Sequence, residues 1–165
     1  MKILLVNGSL RRGDACGEAV QKAAERLKAA GAETEVFWPV RTEDLPCSGC
    51  GACRGAGMCV ADPRAGEFLK AAAACDVLLV FAPIGLLGLG VPLKNLLERA
   101  ALLSARKGGL LLEGRRAAAL QTGRQSARAA QQLAALLEQL GLFPLREDGG
   151  EPEKLLAEWI RGDGI

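Results

Sequence analysis

The sequence predicts an α/β fold: a doubly wound, five-stranded parallel sheet with helices on both faces. Three observations carry that expectation. Short continuous apolar runs alternate with segments of helical periodicity, the pattern of buried parallel strands joined by crossover helices. Glycine-containing loops at 8–15, 83–91 and 122–125 each follow a predicted strand, so they share one edge of the sheet, where such folds bind ligands. Half of the 165 residues are hydrophobic and 24% are charged, enough for a core and too balanced for disorder.

The elements follow in order. Lys2 to Val6 reads as a buried strand. A helix is expected from about Cys16 to Ala30, with Val20, Ala23, Ala24 and Leu27 on one face and Gly31 as its stop. Glu33 to Trp38 reads as a second strand, and residues 39–61 as a long loop rich in glycine and cysteine. Asp62-Pro63 signals a helix start, with a capping carboxylate before a proline, and that helix is expected to reach about Ala74. Val77 to Ala82 is the next buried strand. Pro92 opens a helix carrying Leu93, Leu96, Leu97, Ala100 and Ala101 at helical spacing. Arg116 to Gln121 is a fourth strand, residues 126–140 a helix ending at Gly141, Leu142 to Leu145 a fifth strand, and Pro152 to about Ile160 a last helix. The length suggests one domain, 1–165, with a cysteine-rich loop at about 45–61.

Composition excludes several classes. The formal net charge of +2, with basic pairs only at Arg11-Arg12 and Arg115-Arg116, gives no footing for nucleic acid. Lys2 is followed by only Ile3 to Val6 before Asn7-Gly8, too short for a signal peptide or a membrane span, so no membrane partner and a cytoplasmic location are expected. The chain has no histidine and no tyrosine, which excludes imidazole acid–base catalysis and Ser-His-Asp triads within it. Redox chemistry carried by a cofactor suits that inventory better than hydrolysis. Six cysteines in such a chain point to metal binding or redox work rather than to a disulfide framework.

Two loops carry chemistry. The 8–15 loop joins a buried strand to a helix N-terminus, a favourable place for an anion, with Ser9 as a hydroxyl donor and Arg11 as a partner for phosphate. It lacks the lysine of a P-loop and the glycine spacing of a dinucleotide fingerprint. The more specific signal is Cys47, Cys50, Cys53 and Cys59, a C-x2-C-x2-C-x5-C run. Thiolates so closely spaced favour a [4Fe-4S] cluster; zinc and metal-free redox thiols are the alternatives. Cys75 reads as a small core residue. Cys16 lies at a helix start, where a thiol pKa can be lowered, and is otherwise structural. Leu86, Leu87 and Leu89 are expected to be exposed, and a second subunit to cover them.

Taken together, four stretches resemble the NADPH-dependent FMN reductase superfamily, and within it the iron–sulfur flavoproteins, on a flavodoxin-like fold. They are the opening strand with Gly8-Ser9-Leu10-Arg11, the Pro46 to Cys59 motif followed by Val60-Ala61-Asp62, the Val80 to Ile84 strand and loop leading to Leu93-Lys94, and Gln121-Thr122-Gly123 before a helix that ends at Gly141-Leu142. The resemblance implies FMN as cofactor, its phosphate held by Ser9, Arg11 and the residues Gly13, Asp14, Ala15 and Cys16, and its ring along Pro83, Ile84, Gly85, Leu86, Thr122 and Gly123. It further implies a [4Fe-4S] cluster on the four cysteines, a homo-oligomer (dimer or tetramer) with the cluster near a neighbouring subunit's flavin, and a redox partner such as ferredoxin or NAD(P)H. The chain departs from the family pattern at Ala15-Cys16, where a hydroxyl pair is usual, and at Gly85-Leu86, where an aromatic is usual. Two other functions compete with an electron-transfer iron–sulfur flavoprotein: an NAD(P)H-dependent FMN or quinone reductase without a cluster, and a flavin-free cluster- or metal-binding carrier.

Overall fold

Strand β1 (Lys2–Asn7) pairs in parallel with β2 (Glu33–Phe37) on one side and with β3 (Val77–Gly85) on the other. β3 pairs in parallel with β5 (Arg116–Gly123), and β5 with β6 (Phe143–Leu145). A computed structural model of the chain describes residues 1–9, 11, 13–38, 47–86, 88–106 and 111–145. Within them the sheet order is β2-β1-β3-β5-β6, five parallel strands in the doubly wound α/β arrangement that the apolar runs predict. Strand order reverses between β1 and β3, which places the topological switch point at their carboxyl ends.

Alternation of side chains across the sheet builds two cores. On one face Leu4, Val6, Leu78, Val80 and Ala82 pack against α3 (Arg64–Ala73), α4 (Val91–Arg106) and α5 (Ala127–Glu138). On the other, Ile3, Leu5, Val77, Leu79 and Phe81 pack against Val20, Ala23 and Leu27 of α1 (Ala15–Ala29). Leu93, Leu97 and Ala100 are fully buried, so α4 is fixed to the sheet along its length.

The structure differs from the sequence reading at the ligand edge. β3 runs three residues past Ala82, because Pro83 and Ile84 stay in register with Thr122 and Gly123 of a similarly extended β5. Beyond Gly85 the chain turns back as β4 (Gly88–Leu89), antiparallel to β3. That hairpin buries Leu89 in the core, correcting its expected exposure, whereas Leu86 is 86% exposed. Leu87, residues 39–46 and the helix expected at 152–160 lie outside the described residues. Within the cysteine segment, read as loop throughout, α2 (Cys53–Ala56) forms a single turn.

Candidate functional site

Three segments meet at the carboxyl end of β1 and β3. Gly8 lies where the chain leaves β1, and a Cβ there would meet the Phe81 carbonyl oxygen at 2.6 Å and the Leu93 and Pro83 side chains at 2.8 Å. Only glycine lets the first loop pass this close to β3 and α4. The result is a cavity of about 420 Å³ lined by Gly8, Ser9, Arg11 and Asp14 from the first loop, Pro83, Ile84 and Gly85 from β3, and Gly90 and Pro92 at the start of α4. Six residues singled out in the sequence, Ser9, Arg11, Asp14, Pro83, Ile84 and Gly85, therefore share one cavity. Gly85 and Leu86 also line a second cavity of about 420 Å³, with Gly88, Arg124, Gln125, Ser126 and Arg128. Thr122 and Gly123 end β5 opposite Pro83 and Ile84, and Gln121 holds the following turn through bonds with the Ser126 main chain at 2.8 and 3.2 Å. Gly13 and Ala15 are exposed and line neither cavity.

Hydrogen bonds organise the first loop. Asp14 is the N-cap of α1: it is extended (φ −98°, ψ 175°) and accepts the Gly17 amide at 2.9 Å. Its other oxygen accepts the Ser9 hydroxyl, while the Ser9 oxygen accepts the Arg11 amide at 3.1 Å. Burial acts to raise the Asp14 pKa. Hydrogen bonds from Ser9, Gly17 and Cys16, with the nearby Arg11 charge, outweigh it and hold the carboxyl below its ordinary value. Below this layer Asn7, fully buried, accepts the Ser9 amide at 2.9 Å and the Cys16 thiol at 3.0 Å. Cys16 is 2% exposed, and burial pushes its thiol pKa up rather than down. Its side chain lies beneath the loop.

The donor set of this loop fits an anion: a serine hydroxyl, an arginine and the first amides of a 15-residue helix. Asp14 already engages part of that set.

The cysteine segment forms a separate cavity of about 380 Å³. Cys47, Cys50, Cys53 and Cys59 all line it, with small residues between them and Arg99. Gly49 and Gly51, both at φ near +70°, curl the backbone on either side of Cys50, a conformation other residues rarely take. Cys47 and Cys50 are exposed, whereas Cys53 and Cys59 are half-buried and pack against the core. Sharing a cavity is not the same as converging. Among the described residues, no group of three or more His, Cys, Asp or Glu is close enough together to hold a metal ion. The chemistry of the donor set, four thiols and no carboxylate, still fits a thiophilic centre, and the thiols have to come closer together to bind one.

Sequence reasoning missed what supports this cavity. Arg99, 5% exposed, donates to the Asp62 carboxylate, itself 7% exposed, and Asp62 also accepts the Arg64 amide at 2.9 Å. The available signal was an arginine on the buried stripe of α4, between Leu96 and Leu103. Cys75, 2% exposed, packs in the core, as expected, and does not line this cavity.

The chain is similar to known proteins over most of its length. The family model of the NADPH-dependent FMN reductases matches residues 1–149. A curated relative, an iron-sulfur flavoprotein of Methanosarcina thermophila, is 35% identical over 123 residues, or 74% of this chain and 63% of that protein. The match thus spans less than two thirds of the relative's own length. Among solved structures, a flavoenzyme NAD(P)H:(acceptor) oxidoreductase from Paracoccus denitrificans superposes with a TM-score of 0.62 at 17% identity, covering 98% of this chain and 92% of its own. A WrbA-like flavodoxin from Agrobacterium tumefaciens gives 0.54 at 14% identity, covering 86% and 74%. At such identities these two establish the fold alone. No helix among the described residues is long and apolar enough to cross a membrane.

Proposed function

The chain belongs to the NADPH-dependent FMN reductase family, and on that footing we propose that it is an electron-transfer iron–sulfur flavoprotein, an oxidoreductase holding FMN beside β1 and β3 and a [4Fe-4S] cluster on Cys47, Cys50, Cys53 and Cys59. The observation that carries this reading is that four cysteines line one cavity in a chain whose phosphate-type loop lies at the switch point. The relative from Methanosarcina thermophila, an iron-sulfur flavoprotein, supports it. When bound, the flavin supplies one- and two-electron chemistry and the cluster one-electron chemistry.

The chain's own residues have positioning tasks. Ser9, Arg11 and the first amides of α1 would hold the phosphate, in competition with Asp14 for the Ser9 hydroxyl and the Gly17 amide. Pro83, Ile84 and Gly85, with Thr122 beside them, would form the wall for the ring. The four cysteines would hold the cluster as thiolates, with the buried Arg99–Asp62 pair behind the cavity wall. With neither histidine nor tyrosine in the chain, no imidazole or phenol takes part in proton movement. Leu86, 86% exposed, and Val91, 62% exposed, favour a second copy covering the rim of the flavin cavity, as a cytoplasmic dimer or tetramer. NAD(P)H or a ferredoxin-like protein would supply the electrons.

The separation of the thiols favours one competitor, an NAD(P)H-dependent FMN or quinone reductase with free cysteines. The absorption spectrum and iron content of anaerobically purified protein decide between them. Flavin bands on a broad cluster absorbance, with iron lost in Cys59→Ala, are expected. Flavin bands without iron would establish the competitor, and bound metal without flavin would establish a carrier.

A further inference from the structure

We propose that Asp14 is a specificity-determining residue: its carboxylate holds the donors that a cofactor phosphate needs, and so removes the advantage that FMN would otherwise have over riboflavin. The inference rests on the flavin reading of the same cavity.

The geometry of the loop supports it. Ser9 has one hydroxyl proton, and it goes to Asp14; the Ser9 oxygen is in turn taken by the Arg11 amide. The Gly17 amide, one of the orphan donors at the start of α1, goes to Asp14 at 2.9 Å. A phosphate entering at this helix terminus would compete for the same hydroxyl and the same end of the helix. It would also meet a like charge. A phosphate monoester is largely dianionic at neutral pH, and the bonds around Asp14 keep its carboxylate ionised there. Arg11 lines the same cavity as Asp14, so its charge would face both anions.

A flavin whose ribityl chain ends in a neutral hydroxyl has a different outcome. That hydroxyl is a donor and Asp14 is an acceptor with lone pairs to spare, so the residue that opposes FMN offers riboflavin a hydrogen bond. The cavity walls from β3 and α4 are the same for both ligands.

The test titrates FMN and riboflavin separately into the full chain after removal of bound flavin, for wild type, Asp14→Asn and Asp14→Ser. Asparagine and serine both remain good N-caps, and circular dichroism checks that the fold is kept. Wild type is expected to bind the two flavins with affinities within about tenfold of each other. Asp14→Asn is expected to tighten FMN by about tenfold or more without tightening riboflavin. A wild-type preference for FMN of more than about a hundredfold, or variants that shift both flavins equally, would overturn the proposal. Binding of neither flavin to any variant would overturn the flavin site itself, and the role of Asp14 with it.

Discussion

Asp62→Asn isolates the buried ion pair behind the cysteine cavity. The change keeps the volume of the side chain and an oxygen for the Arg64 amide, but it removes the charge opposite Arg99. The two side chains are 8% and 5% exposed, so solvent can do little to replace the lost partner. Removing one member of a buried pair costs about 3–5 kcal/mol, because a charge stays in a low-dielectric site without its counter-ion. Against a typical total of roughly 5–15 kcal/mol, that is a large share of stability. At about 2–4 °C per kcal/mol for a chain of this size, the melting temperature is expected to fall by about 10 °C. Urea unfolding of the cofactor-free protein measures the effect without stabilisation by bound ligand. Glu98→Gln serves as a control: the Lys94–Glu98 pair at 2.6 Å is 45% and 40% exposed, and its loss is expected to cost about 0.5 kcal/mol or less. The double variant Asp62→Leu/Arg99→Met is expected to be more stable than Asp62→Asn alone, since the buried guanidinium leaves together with its carboxylate. An Asp62→Asn cost below about 1 kcal/mol, the range of exposed pairs, would refute the reasoning.

Three further outcomes are expected. Gly8→Ala places a methyl group against a backbone oxygen at 2.6 Å, so the loop has to shift; a loss of about 1–3 kcal/mol in chemical denaturation and weaker flavin binding are expected. In cofactor-free native protein, a thiol reagent at mildly alkaline pH is expected to label Cys47 and Cys50 first and Cys53 and Cys59 more slowly. Cys16 and Cys75 stay protected until unfolding, because both are 2% exposed and burial raises their pKa. The folded-state pKa of Asp14 is depressed, so its stabilising contribution is present above the unfolded carboxyl value near 3.9 and is lost as pH falls through the folded value. Asp14→Ala is therefore expected to cost about 0.5–2 kcal/mol at neutral pH and to lose less stability than wild type on acidification, by urea denaturation across pH.

The sheet was legible because its strands are continuous apolar runs: Ile3 to Val6 and Val77 to Ala82 are buried on both faces and admit little else. The C-terminal extensions of β3 and β5 were not, because Pro83, Gly85 and Gly123 read locally as loop punctuation. Pro83 and Gly123 become strand only through β3–β5 pairing across about 40 positions, and Gly85 through its pairing with Gly88. Leu89 was misread for the same reason, since its burial depends on a two-residue hairpin partner. The candidate site was half legible. Cysteine spacing and the Gly8-Ser9 turn identify which residues line the cavities, but nothing local tells that Asp14, rather than an external anion, caps α1. Asp62 read as a helix cap, and its second oxygen reaches a residue 37 positions away.

Helix α4 is the element that relates the two cavities. Pro92 lines the one beside the first loop and Arg99 the one among the cysteines. Seven residues are close to two full turns, so the two positions lie on nearly the same face of α4, about 10 Å apart along its axis. Leu93, Leu96, Leu97 and Ala100, all in the core, fix both the height and the rotation of that segment. Inserting one residue between Leu96 and Arg99 would turn everything beyond it by about 100° and take Arg99 off this face. The separation between the proposed flavin and cluster sites is therefore set by packing in the core. Both proposed centres then lie along one helix of one chain, and in the proposed oligomer a second copy would cover the exposed rim at Leu86 and Val91.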